Sequence, residues 1–250
     1  MVYQFLTSIF AKILRMTTQK PEIGKVLTEA YQYWMKTLPM QFIFCVIYFA
    51  IFMFAAMYAY RYYGLFDEMQ KFQNLLYTDS GAFLKKYEVL MQTENAMSFT
   101  MAVLVIKAIV FPLNLGFLKV YRKLDLGEVP ETSDLFTGFR GHYFFIFAIY
   151  SLFWSVVNSY LSFFTLLWIP MMLLVPSLIF FKNYNFFEAF KISILTFQKN
   201  PILILVASLV AIVFSYSGII AFFFGLFLTF PFWNAMIYVL YKNLIGEFEE

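Results

Sequence analysis

Residues 106–118 read IKAIVFPLNLGFL, and within eight positions this apolar run carries a lysine, a proline and an amide. Lys107 falls near the middle of a stretch otherwise suited to lipid, where a lysine costs about 2.5–3.5 kcal/mol on insertion scales. A cation there needs something to meet it. Residues seven apart share a helix face, so Thr100, Lys107, Asn114 and Tyr121 form a polar stripe. Pro112 removes the donor that the carbonyl of Ala108 would otherwise receive. Other apolar stretches offer partners: Ser151, Ser155, Asn158 and Ser159 in one, Thr229 and Asn234 in another. Two readings stay open. One is a polar cavity for an anionic headgroup or substrate. The other is a lysine held by carbonyls and hydroxyls, or snorkelling along its helix.

Other chemistry is scarce. The chain has one histidine, His142, and one cysteine, Cys45. An internal disulfide is excluded, and hydrolysis at a metal needs three or more clustered ligands. No apolar stretch contains Asp or Glu. The expectation is therefore a protein without catalytic residues, metal or cofactor. His142, beside Arg140 and Gly141, reads as facing headgroups. The acidic run DLGEVPETSD, residues 125–134, reads as a solvated linker with a helix N-cap at Ser133 or Asp134.

The elements that position these residues follow from composition. The chain is 62% hydrophobic and 13% charged, far from the roughly one-quarter charged residues of a globular protein. Apolar stretches of roughly 20 residues cross a bilayer. Six are expected: 40–60, 97–121, two within 143–181, 201–216 and 218–241. The 143–181 block would be about 58 Å long as one helix, so it must turn; Ser155, Asn158 and Ser159 mark the expected place. With both termini in the cytoplasm, thirteen of the 18 basic residues fall inside and four outside, leaving Lys107 within a span. The N-terminal MVYQFLTSIFAKILRM reads as an amphipathic helix on the membrane surface, Phe5, Ile9 and Ile13 on one face and Lys12 and Arg15 near headgroups. The organisation is thus residues 1–38 as amphipathic helices, then 39–247 as the membrane domain. Its one long outer loop, 61–96, should form two short amphipathic helices around Asp79-Ser80-Gly81.

Two segments match without a gap. FPLNLGFLKVYRKLDLGE (111–128) and FPFWNAMIYVLYKNLIGE (230–247) share Phe-Pro, Val, Lys and Gly-Glu at an offset of 119. Pro176 followed by Lys182 is a fainter version. PEIGKVLTEAYQYWMKTLP and NFFEAFKISILTFQKNP also correspond, with Ile23, Val26, Leu27 and Trp34 on Phe186, Ala189, Phe190 and Phe197; SDLFTGFRGHY is a shortened cousin. The fold class is all-α, a polytopic membrane bundle of six spans in three repeated hairpins, each behind an interfacial amphipathic helix. Pro112, Pro176 and Pro231 are expected helix kinks. The small residues Ala207, Ala211, Ser215, Gly218, Ala221 and Gly225 should pack the last hairpin closely, a homo-oligomer seam being the alternative use.

This layout, with phrases such as LFTGF (135–139) and FFEAFKIS (186–193), resembles the YciC-type bacterial inner-membrane proteins. It is also similar to the membrane-anchor domain fused to some glycerophosphodiester phosphodiesterases. The resemblance implies a bacterial inner-membrane location and no established activity. The function expected is a non-enzymatic membrane protein, in membrane homeostasis or as a scaffold for envelope proteins. The alternative is a transporter or binder of a lipid or small amphiphile at a polar cavity of Lys107, Thr100, Asn114, Ser151, Ser155 and Asn234. Membrane lipids are the expected partners, and nucleic acid is not.

Overall fold

A computed structural model of the chain describes residues 21–221 and 224–246. The expected helix at residues 1–16 and the repeat match at Glu247 lie outside the described residues. Those described are all-helical, without a strand. A chain this apolar has no water with which to pair its backbone, and a helix satisfies its own N–H and C=O groups.

Helix α1 (Ile23–Lys36) is amphipathic, burying Val26, Ala30 and Tyr33. It leads through Thr37 into the long apolar α2 (Leu38–Tyr62). Three short helices follow, α3 (Leu65–Gln70), α4 (Leu75–Thr78) and α5 (Ser80–Met91). Two had been expected in this loop. Asp79 does mark the turn, capping α5 by accepting from the Ala82 N–H at 3.0 Å. Leu65, Phe72, Leu90 and Ala96 give this hairpin a small core of its own.

The next apolar segment is α6 (Glu94–Val110) and α7 (Leu113–Asp125), separated at Phe111 and Pro112. A 3₁₀ segment (Thr132–Phe139) precedes α8 (Tyr143–Tyr160). Helix α8 continues past the expected turn. Its serine does not break it, because Ser159 Oγ donates back to the Ser155 carbonyl at 2.9 Å and so stays within the helix. The turn comes later, through a 3₁₀ stretch at Ser162–Phe164. Helix α9 (Thr165–Met172) and α10 (Val175–Lys182) follow. Then come the amphipathic α11 (Phe186–Lys199), the apolar α12 (Pro201–Ser217), a 3₁₀ stretch at Gly218–Ala221, α13 (Leu226–Thr229) and α14 (Phe232–Leu244).

Four helical stretches among the described residues are long and apolar enough to cross a membrane: Leu38–Tyr62, Glu94–Asp125, Tyr143–Tyr160 and Pro201–Ile220. The remaining two apolar segments are not continuous helices. One divides between α9 and α10, just before Pro176. The other divides between α13 and α14, at Pro231. Proline has no N–H to give and its ring crowds the preceding turn, so each interruption has a local cause. The kinks expected at Pro112, Pro176 and Pro231 therefore coincide with helix boundaries.

The long helices and the half-helices after each break have opposite surroundings. Helices α2 and α8 leave Phe54, Tyr58, Phe145 and Ile149 exposed, an apolar surface that water would not support but lipid does. By contrast α7, α10 and α14 are mostly buried and pack on one another pairwise. The elements leading into the long helices cover them in turn: α1 lies on α14, the 132–139 segment on α7, and α11 on α10. The second contact is backbone to backbone. A Cβ on Gly116 would stand 2.3 Å from Leu135 Cα, and one on Gly138 would stand 2.1 Å from the Pro112 carbonyl oxygen. The last hairpin is equally tight, since a Cβ on Gly218 would meet the Gly225 carbonyl carbon at 2.2 Å. Ala207, Ala211 and Ser215 are buried there.

Candidate functional site

The three helix breaks meet at one cavity of about 620 Å³. Phe111, Asn114 and Leu115 reach it from the α6–α7 break, Met172, Leu173 and Pro176 from the α9–α10 break, and Phe230, Trp233 and Asn234 from the α13–α14 break. From there it extends between the C-terminal halves of α8 and α12 toward the α8–α9 turn, reaching Asn158, Thr165 and Tyr216. The N-termini of α7, α10 and α14 lie at the breaks. Helix N-termini carry partial positive charge, the arrangement that interrupted membrane helices use for binding sites.

The structure brings five of the six sequence-predicted residues together: Lys107, Asn114, Ser151, Ser155 and Asn234 all line this cavity. Asn158, from the same polar side of α8, joins them. The sixth, Thr100, does not. It is exposed and donates to the Ala96 carbonyl at 2.9 Å. Tyr121 also leaves the expected stripe and is wholly buried. A sevenfold stripe drifts by about 20° per heptad on a straight helix, and the break at Pro112 turns it further. Thr229 is committed elsewhere, donating to the Ser215 carbonyl at 3.0 Å.

Asn114 and Asn234 bridge two of the breaks. Asn234 Nδ2 donates to Asn114 Oδ1 at 3.2 Å, and Asn114 Nδ2 donates to the Phe111 carbonyl at 3.1 Å. The Phe111 carbonyl also accepts from the Asn114 backbone N–H at 2.9 Å, so the side chain adds to the turn that follows the break. Lys107, exposed at the cavity's margin, has no hydrogen-bond acceptor among the described residues. Nor do the buried indole N–H groups of Trp154 and Trp168, whose rings meet edge to face at 4.6 Å. The buried Ser215 hydroxyl and Asn158 carbonyl oxygen are likewise unpartnered. An unpaired buried polar group costs about 1–3 kcal/mol. Several around one cavity mark a surface made for a polar guest or water. Among the described residues no carboxylate lines it.

The aromatic lining was not legible in the sequence. Trp154, Trp168 and Trp233, three of the four tryptophans, line the cavity with Tyr48, Tyr150 and Tyr216. With 23% aromatic residues in the chain, no single one stood out.

The linker reading of 125–134 fits the exposed residues 126–129 and 131–133 but not the aspartates at its two ends. Asp125 and Asp134 anchor two networks at the end of the bundle where α1 and the 132–139 segment lie. Asp134 is 2% exposed and pairs with Lys119 at 2.8 Å and Lys123 at 2.9 Å. It also accepts from the Glu131 N–H at 2.8 Å, in a capping box whose N-cap is Glu131, not Ser133 or Asp134. Burial works to raise the Asp134 pKa, but the Lys119 ammonium, the Glu131 N–H and Lys123 outweigh it and hold the carboxyl at about 2. Asp125 accepts from the Tyr33 hydroxyl, from Tyr238 at 2.5 Å and from Lys242 at 2.9 Å. It thereby ties α7 to α1 and α14. Burial, aided by Asp125, pushes the Tyr33 phenol up to about 12. Spacing alone could not foresee these pairs, because Tyr33 and Lys242 are far from Asp125 in the chain.

No family model, curated protein or solved structure matches this chain.

Proposed function

We propose that the protein is a non-enzymatic, six-span membrane protein that binds, and passes across or within the bilayer, an amphiphilic molecule held in the cavity at the three helix breaks. The observation that carries this reading is the convergence of Lys107, Asn114, Ser151, Ser155 and Asn234 on one space. They come from three separate helical segments, and most of the remaining lining is apolar. A volume of about 620 Å³ falls within the roughly 300–1,000 Å³ of small-molecule sites. A few polar groups in a mostly apolar cavity suit a molecule with a head and a tail.

In this reading the segments 165–182 and 218–244 complete six spans, each odd and even pair forming one of three units. The ring in which α1 covers α14, the 132–139 segment covers α7 and α11 covers α10 supports such a repeat, since each unit's leading element closes over the preceding unit's half-helix. The charge asymmetry supports cytoplasmic termini, and the resemblance supports a bacterial inner membrane. The Asp125 and Asp134 networks then close the cytoplasmic side, while the cavity extends toward the outer turn.

The test is lipid identification. The full chain, extracted in mild detergent, is compared with Ser151→Phe, which fills the cavity wall at a site that is largely buried. Wild type should retain an enriched amphiphile that the variant lacks, with equal thermal stability. Identical lipid contents in the two would overturn the reading. The hairpin at 61–96, with its own core, favours a second role as a platform for an envelope protein. Shortening it should abolish co-purification of that partner while leaving the cavity's ligand in place.

A further inference from the structure

We infer that the cavity's ligand carries an anionic head, a phosphate monoester or a carboxylate, recognised by Lys107 together with the indole N–H groups of Trp154 and Trp168. This rests on the amphiphile-binding reading above and names the class of amphiphile.

The argument is a balance of donors, acceptors and charge. Among the described residues Lys107 is the only Lys, Arg, Asp or Glu lining the cavity, so no carboxylate is there to pair with it. Its ammonium has three N–H donors and no acceptor in reach. A lysine within an apolar segment is costly unless an anion, or water, meets it. The tryptophans point the same way. Their N–H groups are donors only, both are buried without an acceptor, and Trp154 is 9% exposed. They lie on α8, which packs against α6, and on α9, and both line the same cavity as Lys107. Three donor side chains from three helices thus surround a space that supplies no carboxylate, and three helix N-termini at the breaks add partial positive charge. A cationic guest would be repelled by the Lys107 ammonium and the helix N-termini, with the Asn158 carbonyl oxygen and hydroxyls as its acceptors. A neutral one would leave the ammonium uncompensated. An anion satisfies all of these groups at once, with charge-assisted hydrogen bonds that are stronger than neutral ones.

The same geometry limits the rest of the molecule. Leu115, Leu118, Ile169, Met172, Ile212 and Ile237 give the wall an aliphatic surface. A free inorganic anion would leave that surface uncovered, so the head must bring an apolar body with it.

Three of the four tryptophans line the cavity, so intrinsic fluorescence reports occupancy directly. The full chain in nonionic detergent is titrated with a single-chain phosphate monoester (lysophosphatidic acid), with oleate, with the matched neutral lipid monoolein, and with inorganic phosphate alone. Both anionic amphiphiles should bind saturably, and Lys107→Met should weaken them by about ten- to a hundredfold, the loss of one charge-assisted hydrogen bond. Lys107→Arg should restore most of that. Monoolein should bind more weakly and ignore Lys107→Met. If monoolein and the anionic lipids bind equally, and Lys107→Met changes neither while Ser151→Phe abolishes both, the cavity binds amphiphiles but the anionic head is wrong. If inorganic phosphate alone binds as tightly as lysophosphatidic acid, the apolar body is wrong. If no amphiphile perturbs the fluorescence in a Ser151→Phe-sensitive way, the amphiphile reading falls as well.

Discussion

Replacing Asp134 by Asn tests how the 132–139 segment is held against α7. The carboxylate is buried between two ammonium groups at 2.8 and 2.9 Å and accepts a backbone N–H at 2.8 Å. Its pKa falls from 3.8 to about 2 in the folded protein. At about 1.36 kcal/mol per unit, that difference corresponds to about 2.4 kcal/mol. Lys119 and Lys123 are 33% and 20% exposed, and solvent screens their attraction, so about 1–2 kcal/mol is the expected contribution. The sign follows from linkage. The folded carboxyl binds its proton more weakly than the unfolded one, so the stabilisation is complete above pH 3.8 and is lost as pH falls through about 2. The assay is unfolding of the purified chain in nonionic detergent, followed between pH 7 and pH 2. Asp134→Asn should be destabilised by about 1–2 kcal/mol at pH 7 and should lose the part of the acid dependence between pH 4 and pH 2 that this carboxyl supplies. Equal stability at pH 7, together with an unchanged acid profile, would refute the claim that the pair holds the segment in place.

Other expectations follow from the packing and the charge layout. Gly116→Ala should destabilise strongly or prevent folding, because the new Cβ would meet the Leu135 backbone at 2.3 Å. Gly24→Ala, with nothing within 4 Å of its Cβ, should be neutral or stabilising by up to about 1 kcal/mol, and thermal melts separate the two. Asp125→Asn should loosen α1 from α7 and α14, seen as faster proteolysis near residue 36 with the cavity's ligand still bound. In a Cys45→Ala background, a cysteine at Ser80 should react with an impermeant thiol reagent on intact cells, and one at Val129 only after permeabilisation. The reverse pattern would invert the proposed orientation. Ser193, by contrast, is unsuited to labelling, being 1% exposed with its hydroxyl donating to the Met171 carbonyl at 2.6 Å.

Much of the architecture was legible because the bilayer simplifies the problem. A run of apolar residues has to be helical, and a proline inside it has to interrupt the ladder. Both statements need only local sequence. The buried faces of α1 and α11 were equally visible in their periodicity, with Val26 and Ala189 at matching positions and both fully buried. What misled was the treatment of small polar residues. Serine and asparagine at 155–159 looked like a turn, yet a hydroxyl that bonds its own helix lets the helix run on to Tyr160. Asp134 and Asp125, at the ends of the acidic run, looked as solvated as the residues between them because their lysine partners lie on α7 and α14.

Sequence alone determined that the chain is helical, that several of its helices are long and apolar enough to cross a membrane, and which polar residues are too costly to leave facing lipid. It determined these because they depend on composition, period and the chemistry of single residues. Tertiary structure decided which of those polar residues share a space. Only there do the breaks at Pro112, Pro176 and Pro231 meet, Asn114 reach Asn234, and Thr100 fall outside. The reason is geometric. A sevenfold stripe says which side of one helix is polar, but each break turns the helix, and the direction in which the stripe then points depends on what the neighbouring half-helices pack against.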